Sequence, residues 1–129
     1  MIRLYKTPAI LKKLWPTYTW QREATQEKIL YLTFDDGPIP EATPWVLDQL
    51  AKYKAKATFF CVGDNVRKHP EIAARIQAEG HLLANHTFNH LNGWRVDMKP
   101  YVANVALCQQ ELDKYTSESK KLLYRPPYG

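Results

Sequence analysis

Ile29-Leu30-Tyr31-Leu32-Thr33-Phe34-Asp35-Asp36-Gly37-Pro38 decides the reading of this chain. Its first six residues are apolar or β-favouring and predict a buried strand, which Gly37-Pro38 ends. Neighbours within a strand point to opposite faces, so Asp35 and Asp36 can share one pocket only where the strand breaks. Paired carboxylates repel each other unless a cation or an arginine compensates. The plain alternative is a solvated turn, because Asp-Gly is a common turn dipeptide.

Working outward, strands and helices alternate. Glu41–Tyr53 predicts a helix with Trp45, Leu47, Leu50 and Ala51 on its apolar face. A second strand is expected at Ala57–Val62, ended by Gly63-Asp64, and a helix at Pro70–Glu79, with Pro70 in its first turn and Gly80 as its stop. A short third strand, His81–Asn85, runs into His86. Asp97–Tyr115 predicts a long helix, since Met98, Tyr101, Val105, Cys108, Leu112 and Tyr115 recur at spacings of three and four. A fourth strand is expected at Lys121–Tyr124, before Arg125-Pro126-Pro127-Tyr128-Gly129. Such alternation implies parallel strands with right-handed crossovers, and sites built at their carboxyl ends. Clusters far apart in sequence should therefore converge there.

Composition agrees with one folded domain: 129 residues, 45% hydrophobic, preceded within the chain by a basic lead-in at 1–27. The formal charge of +5 comes from 18 Lys and Arg against 13 Asp and Glu, scattered rather than striped. No nucleic-acid partner is expected from it. Cys61, within an apolar run, and Cys108, on a helix stripe, read as small buried hydrophobes rather than a disulfide. Met1–Trp15 does not read as a secretory signal, and no stretch approaches a membrane span. The protein is expected either to stay inside the cell or to take an export signal from outside this chain.

Two further clusters carry chemistry. His86 and His90, four apart, would share one face of a helical turn and could ligate one metal. With one carboxylate they give a two-His, one-Asp set that leaves positions open for water and substrate, the composition of a catalytic site. His69 and His81 lack such company and read as structural. In Arg125-Pro126-Pro127-Tyr128-Gly129 the prolines hold the backbone extended and fix where Arg125 and Tyr128 project. The alternative there is a stiff surface loop.

Together, Thr33-Phe34-Asp35-Asp36-Gly37-Pro38, His86-Thr87-Phe88-Asn89-His90 and Arg125-Pro126-Pro127-Tyr128-Gly129 resemble the motifs of the polysaccharide deacetylase family, also called the NodB-homology or carbohydrate esterase family 4 group. The resemblance covers residues 28–129. It implies a partial (β/α) barrel of the distorted NodB type, with four strand–helix starts present and the carboxyl-terminal strands missing. It implies removal of N-acetyl groups from an amino-sugar polymer, with Asp35 as general base. Asp36, His86 and His90 would hold one divalent metal, Zn2+ first, with Co2+, Ni2+ or Mn2+ as alternatives. Arg125 would position Asp35, and the Tyr128 backbone N–H would help stabilise the oxyanion. The chemistry suits amide hydrolysis, which needs an activated water, a polarised carbonyl and a protonated leaving amine.

The family's two later motifs, including the histidine that usually serves as general acid, do not follow. That predicts a truncated product, a proteolytic piece, or half of an assembly whose second chain completes the barrel; truncation is the first expectation. Such a half-barrel would expose apolar faces of strands one and four and could bind metal without turning over. Trp94 could stack on a sugar or simply pack over the barrel rim. Peptidoglycan N-acetylglucosamine heads a substrate list that includes chitin oligosaccharides, xylan esters and small N-acylated molecules. A two-His, one-carboxylate iron oxygenase also fits the ligand set, but it belongs on antiparallel jelly-roll strands.

Overall fold

Strands β1 (Leu32–Asp35), β2 (Ala57–Cys61) and β3 (Leu82–Asn85) lie side by side in that order, and both pairings are parallel. Their register sets Asp35 opposite Phe60, and Cys61 opposite Asn85, so the carboxyl ends of the strands come level. The parallel arrangement is that of an α/β barrel segment and unlike a jelly-roll. These features come from a computed structural model that describes residues 8–19, 29–116 and 123–128. The chain divides into two compact units, Met1–Leu30 and Tyr31–Gly129. In the first, Ala9–Leu14 forms a short helix, α1, where the sequence reading placed no element. Pro8 caps its start, and Lys12 and Lys13 complement the carbonyls of its last turn.

Helices fill every crossover of the second unit. α2 (Ala42–Lys52) joins β1 to β2, α3 (Gly63–Lys68) and α4 (Pro70–Ala78) join β2 to β3, and α5 (Met98–Leu112) follows β3. Pro70 opens α4 as expected, and Gly80, at φ 79°, supplies the left-handed residue just past its end. Helix α3 corrects the expectation that Gly63-Asp64 merely ends a strand. Gly63 is there for space: a Cβ would lie 2.6 Å from the Phe88 ring and 2.9 Å from the Cys108 Cα. Asp64 then pairs with Arg67 at 2.8 Å and Lys68 at 2.5 Å on the helix surface.

The core gathers Leu47, Phe59, Val66, Ile76, Leu83 and Leu112 between the sheet and its helices. On α2 the apolar face is narrower than predicted. Leu47 and Leu50 are buried, whereas Trp45 is 63% exposed and Ala51 faces solvent. Positions 47 and 50 share a face, and 45 lies two residues round from it. On α5, Cys108 and Leu112 are buried while Met98, in the first turn, is exposed. Nor is β1 the buried strand its composition suggests, since none of its four residues is buried. It is the sheet edge, paired on one side only among the described residues. Of the expected fourth strand, Lys121 and Leu122 lie outside the described residues. Tyr124 forms an isolated parallel bridge with Asn85, which brings Arg125 beside the end of β3. Among the described residues, no helix is long and apolar enough to cross a membrane.

Candidate metal centre

Each strand end hands the chain to an irregular loop, and those loops carry the candidate residues. After Asp35, Asp36 takes a left-handed φ of 70° and the Gly37–Pro38 peptide is cis. The turn is held by main-chain bonds: Asp36 N–H donates to Phe60 O at 3.1 Å, and Val62 N–H to Gly37 O at 3.0 Å. Asn65 Nδ2 on α3 donates to the Asp36 carbonyl at 2.8 Å. The backbone reversal sends the two carboxylates to different partners, as a broken strand permits and a regular one does not.

Asp36 Oδ1 stands 3.4 Å from His86 Nε2 and 3.1 Å from His90 Nε2. One donor atom from each of the three residues falls within 4.8 Å of the other two. His86 is buried, His90 half-buried and Asp36 exposed. The histidines do not share a helical turn, as their spacing predicted. His86 follows β3, and residues 86–91 bend with left-handed φ at Thr87 (64°) and His90 (54°). That path still brings the two rings to 5.1 Å.

The loop satisfies its amides without a helical ladder. His86 N–H donates to Cys61 O, Thr87 N–H to Asn85 Oδ1 and Leu91 N–H to Thr87 Oγ1. Phe88 and Asn89 N–H both donate to Asn104 Oδ1 on α5. His86 Nδ1 lies 2.7 Å from the Arg125 carbonyl oxygen. Donation by Nδ1–H leaves the Nε2 lone pair facing Asp36 Oδ1, the tautomer a metal ligand needs. Two imidazoles and a carboxylate at these separations fit a divalent cation, and three protein donors leave further positions open.

Asp35 sits beside this triad on a separate tether. Arg125 Nη1 donates to Asp35 Oδ1 at 2.6 Å and to Thr33 Oγ1 at 3.2 Å. The guanidinium also lies 4.0 Å from the centre of the Phe60 ring. Tyr128, at φ 65°, sets its ring edge-on to His90 with centroids 5.0 Å apart. All six residues singled out from sequence thus occupy one cluster at the carboxyl ends of the strands. His69 is half-buried at the α3–α4 junction. His81 is buried at the other end of β3, its Nδ1 accepting Ala57 N–H at 3.3 Å.

Residues 22–129, which carry this triad and the second carboxylate with its arginine, match the polysaccharide deacetylase family. The chain belongs to that family. It is 41% identical over 120 residues to a peptidoglycan-N-acetylglucosamine deacetylase of Bacillus cereus, covering 92% of this chain and 55% of that protein. Identity reaches 50% over 66 residues with a chitooligosaccharide deacetylase of Rhizobium leguminosarum bv. trifolii, covering 51% of this chain and 31% of the relative. The solved structure of peptidoglycan deacetylase PdaC from Bacillus subtilis superposes with a TM-score of 0.74 at 38% identity, covering 81% of this chain and 51% of that one. This deacetylase-family chain spans between 22% and 55% of the length of the curated relatives it matches.

Sequence reasoning overlooked the family member's supporting residues. Asn104 and Asn85 lie on or against α5, and their partners are scattered over 2 to 24 positions. No local pattern marks them. Phe60, beneath Arg125, read only as part of an apolar run. Trp94 is 84% exposed and lines a groove of about 310 Å3 with Met98, Tyr101, Tyr124 and Pro127. The loops that carry His90 and Arg125 both contribute to that groove.

Proposed function

We propose that this domain removes N-acetyl groups from an amino-sugar polymer by metal-assisted hydrolysis, with peptidoglycan N-acetylglucosamine as the first substrate to test. The observation that carries the reading is the division of labour between adjacent carboxylates: Asp36 faces two histidines, while Asp35 faces Arg125. The domain is assigned to residues 28–129, with 1–27 as a lead-in. Asp36, His86 and His90 would hold one divalent ion, zinc first. An ion bound there would supply an activated water and polarise the acetamide carbonyl. Asp35 takes the proton of the attacking water, and Arg125, 2.6 Å from its Oδ1, holds that carboxylate aimed. The Tyr128 backbone N–H donates to the carbonyl oxygen as its charge develops. The C–N bond then breaks to give acetate and the free amine, whose proton donor is assigned to none of the described residues. Trp94 and the groove beside it favour a polymer over a small acylated molecule, because aromatic faces stack on sugar rings.

A second reading is a metal-binding half-domain that does not turn over by itself, favoured by the exposed apolar edge at β1. Zinc stoichiometry and acetate release from N-acetylglucosamine oligomers, measured on wild type, His86→Ala and Asp35→Asn, separate the two. Hydrolysis predicts one zinc per chain in wild type and Asp35→Asn, weaker binding in His86→Ala, and acetate release at least about 100-fold slower in Asp35→Asn. Zinc binding with no acetate release supports the half-domain. Absence of zinc binding would sink both.

A further inference from the structure

We infer that Asn104, on α5 and fifteen residues beyond Asn89, is a positioning residue for the metal centre, acting through the loop that carries His90. This rests on the metal-site reading above. Residues 86–91 follow neither helix nor strand, and Thr87 and His90 are held at left-handed φ, unfavourable for side chains with a Cβ. Such a path persists only where its surroundings over-determine it. Asn104 supplies a large part of that determination. Its Oδ1 accepts Phe88 N–H at 2.8 Å and Asn89 N–H at 3.1 Å, and its Nδ2 donates to Asn89 Oδ1 at 2.9 Å. Both amides lie between the two histidines, so this one side chain sets the path from His86 to His90.

The helix is fixed in turn from the opposite side of the loop. Asn85 Nδ2 donates to Val105 O at 2.9 Å and Gln109 Oε1 at 3.2 Å, while its Oδ1 accepts Thr87 N–H at 2.9 Å. Beneath the loop, Phe88 is buried and Gly63 N–H donates to Thr87 O at 3.0 Å. His86 is secured independently by the main chain of Cys61 and Arg125. Loss of Asn104 should therefore release His90 and leave His86 in place.

The test compares Asn104→Ala and Asn104→Asp with wild type, using zinc affinity from chelator competition and the visible spectrum of the cobalt-loaded protein. Asp retains an acceptor for the two amides, whereas Ala removes it. The expected result is roughly 10- to 100-fold weaker zinc binding in Asn104→Ala, the range that supporting shells command, with a changed cobalt spectrum. Asn104→Asp should stay within a few-fold of wild type and keep its spectrum. Wild-type affinity and spectrum in Asn104→Ala would overturn the inference, as would an Asp variant as impaired as the Ala variant. If Asn104→Ala does not fold, the Asp variant decides: retained affinity and spectrum support the role, and loss overturns it. A wild-type chain that binds neither ion removes the metal-site reading and this inference together.

Discussion

Strands β1 and β3 have four residues each and belong to one parallel sheet, yet three residues of β3 are buried and none of β1. The difference lies in what flanks them. Beyond β3 come the Tyr124 bridge and the side chains of α5, which close over the histidine loop. Beside β1, Leu32, Phe34, Trp45, Val46 and Tyr53 line an apolar groove of about 260 Å3. The candidate centre straddles this asymmetry, drawing its imidazoles from the closed side and its carboxylates from the open one. Rigid placement of the histidines is thus a property of tertiary packing, whereas Asp35 and Asp36 rely on a main-chain turn and on Arg125.

The contrast breaks most visibly at Gly63. Gly63→Ala would press a methyl group against Phe88 and the α5 backbone, and should cost about 1–3 kcal/mol in urea unfolding. An unchanged midpoint would mean that the closed side is looser than its geometry says. A smaller effect is expected at His81. Its burial, then the nearby Lys56, push its pKa below the ordinary value, while Glu79 pulls the other way. Below about pH 6.5 the unfolded chain takes up a proton that the folded one refuses, so stability falls as pH drops through that region, by at most about 1.4 kcal/mol per pH unit. A His81→Gln variant should show a flatter stability profile between pH 7 and 5, and an equally steep one would remove His81 as the cause. The smallest change belongs to the open side. Trp45→Ser should shift unfolding by less than about 0.5 kcal/mol while reducing self-association in sedimentation runs. A large loss of stability there would mean that the groove is part of the core.

The same asymmetry explains what could be read from the sequence. The alternation of strands and helices was legible, and so was the convergence of Asp35, Asp36, His86, His90, Arg125 and Tyr128, because clusters of polar residues at strand ends stand out as local motifs. The edge position of β1 was not, since an apolar run looks alike in the middle of a sheet and at its margin. Gly63 misled for a related reason. Glycine commonly ends an element, but here it opens a helix and makes room for a ring. The histidine spacing fitted a helical turn, and the left-handed residues that replace that turn, Thr87 and His90, are not glycines. Asn104 answers to amides fifteen and sixteen residues away, a partnership that exists only once α5 has packed.

Asp36, Thr87, His90 and Tyr128 all hold left-handed backbone within or beside the centre. Each such residue costs on the order of 1–2 kcal/mol in an unsupported chain. A short peptide carrying residues 84–92 would thus offer two imidazoles but not their arrangement, and should bind zinc only weakly. A divalent ion held by Asp36, His86 and His90 would then be a ligand of the native state alone. At a hundred times its dissociation constant it would add about 2.7 kcal/mol to folding. On the proposed metal-site reading, the supply of that ion would set what fraction of the chain is folded.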